Sequence, residues 1–184
     1  MEKILIYKNS KIAYSDVGKG SAVVLLHGFL ESSTIWNDIK GELIKKNRVI
    51  CIDLLGHGNT DSIGYVHTMD DMAMAVKEVL NTLLLRKFYM IGHSMGGYVS
   101  LAFAELYPKN IKGICLLNST AQADSNERKS LRLRACEMAK VNYDNLVKMS
   151  VANLFTLQTR EQFSVKIAEV KKIAKQTSVQ GYIA

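Results

Sequence analysis

The sequence predicts an α/β fold in which a mostly parallel sheet carries helices on both faces. Up to about residue 118, short apolar runs rich in β-branched residues alternate with segments of helical periodicity, which is typical of a parallel sheet. The later apolar runs are nearly continuous, as expected of strands buried on both faces. From about residue 125 only helical periodicity is left. We therefore predict an α/β core in residues 1–124 and a helical segment in residues 125–184.

Six apolar runs are strand candidates, and two of them are predicted to lie side by side in the centre of the sheet, at 22–27 and 87–91. The six runs are KILIY, KIAYSDV, AVVLLHG, NRVICIDL, KFYMIG and IKGICLLN. A helix is predicted behind Thr68 and Asp71, because a threonine followed three residues later by an acid is a capping pattern. A second helix is predicted over residues 95–107, ending before Pro108.

Apolar residues recur at helical spacing in the last third of the chain, and we expect each group to face a core. The groups are Leu131, Ala135 and Met138; Val147, Val151, Leu154 and Phe155; and Phe163, Ile167, Val170 and Ile173.

Composition is that of one soluble globular domain, with 184 residues, 48% apolar and 22% charged. No apolar run is long enough to cross a bilayer, and the first ten residues do not have the pattern of a signal peptide. These features predict a cytoplasmic protein with no membrane partner. Cys51 and Cys115 lie in strand-like runs and Cys136 in a helix-like run, so buried thiols are expected; the spacing of His, Cys and acidic residues predicts no metal site.

The formal net charge of +7 is concentrated in residues 125–184, which contain 11 Lys and Arg residues against 5 Asp and Glu residues. A basic segment can attract anionic partners. Because neither aromatic residues interleaved with the basic ones nor a nucleic-acid motif accompanies the charge, we interpret it as solvated helix faces and predict no nucleic-acid partner.

The stretch GHSMGG, residues 92–97, is predicted to turn sharply from a strand into a helix with Ser94 at the turn. Glycines at Gly92 and Gly96 would relieve the crowding of the two backbones. The turn leaves the Met95 amide at a helix N-terminus, where N–H groups favour an anion. After the earlier strand, the amide of Phe29 is well placed to be a second donor.

Three motifs carry a resemblance to a known family: HGF at 27–29, DLLGHGNTD at 53–61 and GHSMGG at 92–97. In order and spacing they resemble the α/β-hydrolase fold family, over essentially the whole chain. The resemblance implies a hydrolase sheet whose helical segment is a cap inserted after the sixth strand, and no cofactor. Two residues depart from the family's usual proline and serine, Leu55 and Thr60, and we interpret both changes as structural.

The resemblance also assigns roles to single residues. It implies that Ser94 is the catalytic nucleophile and that the backbone N–H groups of Phe29 and Met95 form an oxyanion hole. The residues that support the two turns would be His27, Gly28, Gly92, His93 and Gly96.

A triad acid and histidine should follow the nucleophile in this family, but no histidine follows Ser94. We interpret all four histidines as structural, with His67 exposed and the His93 side chain directed away from the serine. Asp53 is expected to hold its own loop. Asp124 follows the sixth strand and could be a displaced triad acid, but its place at the entry to the cap favours a role in capping the first helix there.

Three hypotheses follow from the missing partners. The favoured one is that the chain is the amino-terminal part of a longer serine hydrolase, lacking the last strands with the acid and the histidine. It would act on an ester, a thioester or a similar small acyl compound through a Ser94 acyl-enzyme, and alone it would be inactive or weakly active. The alternatives are a noncatalytic binding module and one half of a two-chain enzyme, in which another chain pairs with the open sheet edge beyond ICLLN. Serine rather than aspartate at position 94 argues against epoxide hydrolases and haloalkane dehalogenases.

Overall fold

The computed structural model describes residues 2–184, which form one six-stranded sheet with helices around it. The strands are β1 (Glu2–Tyr7), β2 (Ser10–Gly18), β3 (Ser21–Leu26), β4 (Asn47–Ile52), β5 (Phe88–His93) and β6 (Ile111–Leu117). The strand order is β1-β2-β4-β3-β5-β6. Strands β4, β3, β5 and β6 are parallel, whereas β1 and β2 pair antiparallel. The predicted mostly parallel sheet is confirmed, and β3 lies beside β5 inside it.

Seven helices accompany the sheet in the described residues. They are α1 (Asn37–Leu43), α2 (Met69–Thr82), α3 (Met95–Leu106), α4 (Asn126–Ala152), α5 (Leu157–Gln162), α6 (Ser164–Ala174) and α7 (Val179–Ile183). The predicted capping pattern is present at α2, because the Thr68 hydroxyl accepts from the Asp71 N–H and the Asp71 carboxylate accepts from the Thr68 N–H. Helix α3 ends before Pro108, as predicted.

Alternate residues of the central strands pack into cores on opposite faces of the sheet. On one face, Val24 and Leu26 of β3 join a cluster with side chains of α2 and α3. On the other face, Val23 and Leu25 pack with Trp36. The expectation of a sheet covered on both faces is therefore confirmed for its central strands.

Strand β6 departs from that expectation. Its residues alternate between partial burial and exposure, with Cys115 exposed and Leu117 40% exposed. The prediction of a buried Cys115 is therefore wrong, because β6 is the outermost strand of the described sheet and pairs only with β5 there. Cys51, in contrast, is fully buried, and Cys136 is half-buried.

The helical segment, residues 126–183, builds a core of its own together with Leu30 from the loop after β3. Its buried members are Ala139, Val147, Val151, Ala174 and Tyr182. Helix α4 packs against α6 and α7 and is kinked at Asn142, whose φ is −148°. Within residues 2–184, no helix combines the length and the apolar character that a membrane span requires.

Only part of the predicted apolar faces is buried in this segment. Val147, Val151 and Ile167 are buried as predicted, but four other predicted positions are exposed, which is a correction. They are Leu131, Met138, Leu154 and Phe163, with exposed fractions of 56%, 53%, 71% and 48%. The kink at Asn142 interrupts the helical period, so the two halves of α4 do not share one buried stripe.

Candidate active site

Ser94 lies at the sharp turn between β5 and α3, with a φ of 48° and a ψ of −114°. The predicted sharp turn is confirmed, and for a serine this conformation costs on the order of 1–3 kcal/mol. The end of β6 holds the turn in place. The Ser94 N–H donates to the Leu117 carbonyl at 3.1 Å, and the Ser119 hydroxyl donates to the Ser94 carbonyl at 2.8 Å.

Glycines make the close approach at this turn possible. A Cβ atom on Gly96 would lie 2.6 Å from the His27 carbonyl oxygen and would also overlap the Leu26 carbonyl at the end of β3. A Cβ on Gly92 would overlap the backbone of Gly96 in the helix. Because these neighbours are backbone atoms, they cannot give way by a change of rotamer. The crowding that the sequence predicts at both positions is therefore present.

The two predicted oxyanion donors line the same cavity as Ser94. This cavity has a volume of about 510 Å³ and includes both Phe29 and Met95 in its wall. Within residues 2–184, neither of their backbone N–H groups donates a hydrogen bond. The neighbouring Gly28 N–H is already engaged, donating to the Glu31 carboxylate at 2.6 Å. The amides of Phe29 and Met95 therefore have no hydrogen-bond acceptor among the described residues.

Ser94 lies between two cavities of different character. The first, described above, is mainly apolar and includes Met72, Tyr98 and Tyr182. The second has a volume of about 620 Å³ and is lined by Asn118, Thr120 and other polar side chains. A reacting group at Ser94 would therefore have an apolar environment on one side and hydrogen-bonding side chains on the other.

His27 is fully buried and connects two loops at the end of the sheet. Its Nδ1 donates to the Gly28 carbonyl at 2.7 Å, and its Nε2 accepts from the Leu54 N–H at 2.9 Å. The accepted bond at Nε2 assigns the proton to Nδ1. Burial, with a smaller contribution from the nearby His57, lowers the pKa of His27 to about 3. His27 is therefore a neutral structural residue, as predicted.

His57 and His67 both line the apolar cavity and are both buried. The prediction of an exposed His67 is wrong, since the ring turns inward and its Nε2 accepts from the Ile63 N–H at 3.1 Å. His57 Nδ1 bonds to the Leu55 carbonyl at 3.0 Å. Burial is the main cause that lowers the pKa of each of these histidines.

His93 pairs with a residue that the sequence analysis did not single out. Its Nδ1 lies 2.9 Å from Glu31 Oε2, and this hydrogen bond raises the pKa of His93. In the sequence, the one feature that points to Glu31 as a site residue is its position three residues after Gly28. In the described residues, no histidine hydrogen-bonds to the Ser94 hydroxyl.

The two acids considered earlier have different roles. Asp53 holds its surrounding loops as predicted, because its carboxylate accepts from the Ser33 N–H at 2.7 Å and the Asn59 N–H at 2.8 Å. Asp124 does not cap α4, which corrects the prediction; the hydroxyl of Ser125 is the cap, since it stands directly before the helix. Asp124 instead pairs with Arg132 at 2.6 Å, which lowers the pKa of Asp124.

The two departures from the family's usual residues are structural in this fold. The Thr60 hydroxyl donates to the Asp53 carbonyl and accepts from the Ala13 N–H, and so connects β2 with the end of β4 through one residue that is 5% exposed. Leu55 is 1% exposed and belongs to the core.

Comparison with known families agrees with this geometry. Residues 21–175 match the family described as alpha/beta hydrolase fold. The chain belongs to this family. Among curated relatives, a putative 2-succinyl-6-hydroxy-2,4-cyclohexadiene-1-carboxylate synthase of Bacillus subtilis is 34% identical over 121 residues, which are 64% of this chain and 44% of the relative. A 2-hydroxy-6-oxononadienedioate/2-hydroxy-6-oxononatrienedioate hydrolase of Burkholderia vietnamiensis is 34% identical over 58% of this chain and 39% of the relative.

The fold of the whole chain is also found in solved structures of this family. A thermophilic esterase from Thermogutta terrifontis, solved with malate bound, superposes with a TM-score of 0.91 and 29% identity. The match covers 100% of this chain and 70% of the esterase. Uncharacterized relatives from Mycobacterium are 32% identical over 58% of this chain, and the match spans 31% of their length. The chain therefore matches less than half the length of these curated relatives.

The buried state of His27 predicts a loss of stability in acid. The unfolded chain binds a proton at this residue near pH 6.5, whereas the folded chain does so only near pH 3. The contribution of the neutral ring to the free energy of unfolding is thus fully present above about pH 6.5. It is lost as the pH falls, at up to about 1.4 kcal/mol per pH unit. Denaturant unfolding of the wild type and His27→Gln checks this. As the pH is lowered from about 7 to 4, the free energy of unfolding of the wild type should fall relative to that of His27→Gln. A difference between the two proteins that does not change with pH would contradict the assignment.

Proposed function

We propose that this chain forms the nucleophile-bearing part of a serine hydrolase that acts on an ester, a thioester or a similar small acyl compound. One observation carries the proposal. Ser94 stands at positive φ in the wall of a cavity that it shares with two residues, Phe29 and Met95, whose amides have no acceptor within residues 2–184. That combination suits attack on a carbonyl carbon followed by stabilisation of the oxyanion.

The reaction divides into two steps. A base removes the proton from Ser94 Oγ, which attacks the acyl carbon, and the tetrahedral oxyanion accepts hydrogen bonds from the Phe29 and Met95 N–H groups. The leaving group departs with the proton, and water then hydrolyses the acyl-enzyme to release the acid. Each oxyanion donor contributes about 3 kcal/mol to lowering the barrier.

The base and its acid partner come, in this proposal, from outside these 184 residues. The ring nitrogens of His27 are both engaged, and His93 Nδ1 is bonded to Glu31. None of the described histidines bonds to the serine, so residues 1–184 alone should be inactive or weakly active.

The outer edge of β6 favours a further strand beside it. Cys115 and Leu117 are exposed there, although they belong to an apolar strand. Unpaired edges of this kind accept additional strands. We propose that such strands carry the base, and that they belong either to the same gene product or to a partner chain.

The helical segment acts as a cap over the reacting group in this proposal. Ala135, Cys136 and Tyr182 contribute to the wall of the apolar cavity, and the Tyr182 ring packs against Phe29 with its centroid 4.9 Å away. A cavity of about 510 Å³ suits a small or medium acyl compound better than a polymer. The similarity to the Thermogutta terrifontis esterase supports an ester as the substrate class.

Labelling with a fluorophosphonate tests the proposal. The complete product of the gene should bind one equivalent of the probe at Ser94, and Ser94→Ala should abolish labelling. Ser130→Ala is the matched control, since Ser130 is an exposed serine on α4, and it should label like the wild type. Labelling that persists in Ser94→Ala, or no labelling of the wild type, would contradict the proposal.

A further inference from the structure

Glu31 connects the two loops that contribute the oxyanion donors. A single oxygen, Glu31 Oε2, accepts from the Gly28 N–H at 2.6 Å and lies 2.9 Å from His93 Nδ1. Gly28 directly precedes Phe29, the first donor. His93 directly precedes Ser94, which is followed by Met95, the second donor. One carboxylate therefore binds both sides of the proposed oxyanion hole.

The packing at Gly28 indicates how tightly these loops meet. A Cβ atom placed on Gly28 would lie 2.8 Å from Glu31 Oε2, 3.0 Å from His93 Nδ1 and 3.1 Å from Ser94 Cβ. A side chain at this position would press on both the Glu31 carboxylate and the His93 ring. The loop that contains Phe29 and the turn that contains Ser94 thus meet closely at these four residues.

The loop of Glu31 adopts a strained conformation that needs to be held. Leu30 has a φ of 61°, and the Glu31 N–H donates back to the Gly28 carbonyl at 3.3 Å. A leucine at positive φ is unfavourable without support. The support comes from burial of Leu30 in the core of the helical segment and from the Glu31 carboxylate.

The same carboxylate occupies the Gly28 N–H, whereas the Phe29 N–H has no acceptor within residues 2–184. The Glu31 and His93 side chains are 16% and 23% exposed, so their interaction is only partly screened by solvent. The other titratable group near His93 is His27, which is buried and neutral.

We propose that Glu31 is a positioning residue that, through Gly28 and His93, fixes the Phe29 amide relative to Ser94 and Met95 for stabilisation of the oxyanion. It touches neither the substrate nor the reacting atoms. The inference rests on the proposed function, because a positioning role needs a reaction to act on. Its structural half, the link from Gly28 through Glu31 to His93, can be tested without activity.

Two substitutions separate charge from hydrogen bonding in the complete gene product. Glu31→Ala removes both, and it should lower kcat by roughly 10–100-fold with KM changed by less than about threefold, since displaced donors weaken mainly the transition state. Glu31→Gln keeps an acceptor for the Gly28 N–H and should lose less, roughly 3–10-fold. Glu42→Ala, at an exposed acid of α1 that pairs with Lys45, should match the wild type.

Histidine ring NMR provides the readout that is independent of turnover. Both Glu31 variants should lower the pKa of His93 relative to the wild type, while Glu42→Ala leaves it unchanged. A wild type without activity but with this NMR response would refute the hydrolase proposal and leave the Glu31 link intact. Glu31→Ala with kcat within twofold of the wild type, or a loss confined to KM, would overturn the positioning role. If the alanine variant does not fold, the kcat of Glu31→Gln and its His93 titration decide in the same way.

Discussion

Replacing Gly96 with alanine should destabilise the folded chain by more than about 3 kcal/mol, and valine at this position should have a larger effect. The added Cβ would lie 2.6 Å from the His27 carbonyl oxygen and overlap the carbonyl of Leu26. Relief would require α3 to move away from the end of β3. The sharp turn that presents Ser94 would then be lost together with stability.

Gly41→Ala is the matched control for this experiment. Gly41 also lies in a helix, α1, but nothing lies within 4 Å of the position of its Cβ atom. Alanine there should leave stability unchanged or raise it by about 0.5–1 kcal/mol, because glycine is unfavourable within helices. Unfolding in guanidinium of the wild type, Gly96→Ala and Gly41→Ala gives the three free energies to compare. Equal stability of Gly96→Ala and Gly41→Ala would contradict the role given to Gly96.

Ser94→Ala should have the largest effect on activity of any single substitution. In the complete gene product, we expect kcat/KM for a nitrophenyl ester to fall by on the order of 10⁴–10⁶, because no other group would form the acyl-enzyme. Stability should not fall, since the Ser94 side chain makes no hydrogen bond among residues 2–184 and its strained φ is kept. Ser130→Ala serves again as the control and should retain full activity.

The same assay separates the three hypotheses about the catalytic base. A longer gene product that is active on its own indicates that the base lies elsewhere in the same chain. Activity that requires an added chain indicates a two-chain enzyme, and inactivity under all conditions indicates a binding module. Full Ser94-dependent turnover by residues 1–184 alone would instead refute a base from outside, and His67 and His93 would be the first residues to mutate.

The features that the sequence predicted correctly are those that depend on local chain geometry. The capping pattern at Thr68 and Asp71 needs only four residues, and the sharp turn at Ser94 is indicated by the glycines two residues before and two residues after it. The parallel sheet follows from apolar runs of strand length between helical segments. In each case, the residues that indicate the feature lie close together in sequence.

The features that were missed depend on distant contacts. Whether Cys115 is buried depends on what packs on β6, and whether Leu131 is buried depends on which helices α4 meets. The loop of His67 is held by a distant contact, since the His67 N–H donates to the carbonyl of Ala184 at 2.7 Å. Glu31 and His93 are 62 residues apart in sequence, so that no local pattern indicates their pairing.

The proposed acyl-enzyme at Ser94 is tested most directly by trapping it. The complete gene product is mixed rapidly with nitrophenyl acetate, quenched in acid and digested, and the peptides are analysed by mass spectrometry. We predict a burst of about one nitrophenolate per protein and an acetyl group on the peptide that contains Ser94. Turnover without an acylated Ser94 peptide, or acetylation at a different residue with an equal burst in Ser94→Ala, would contradict the account.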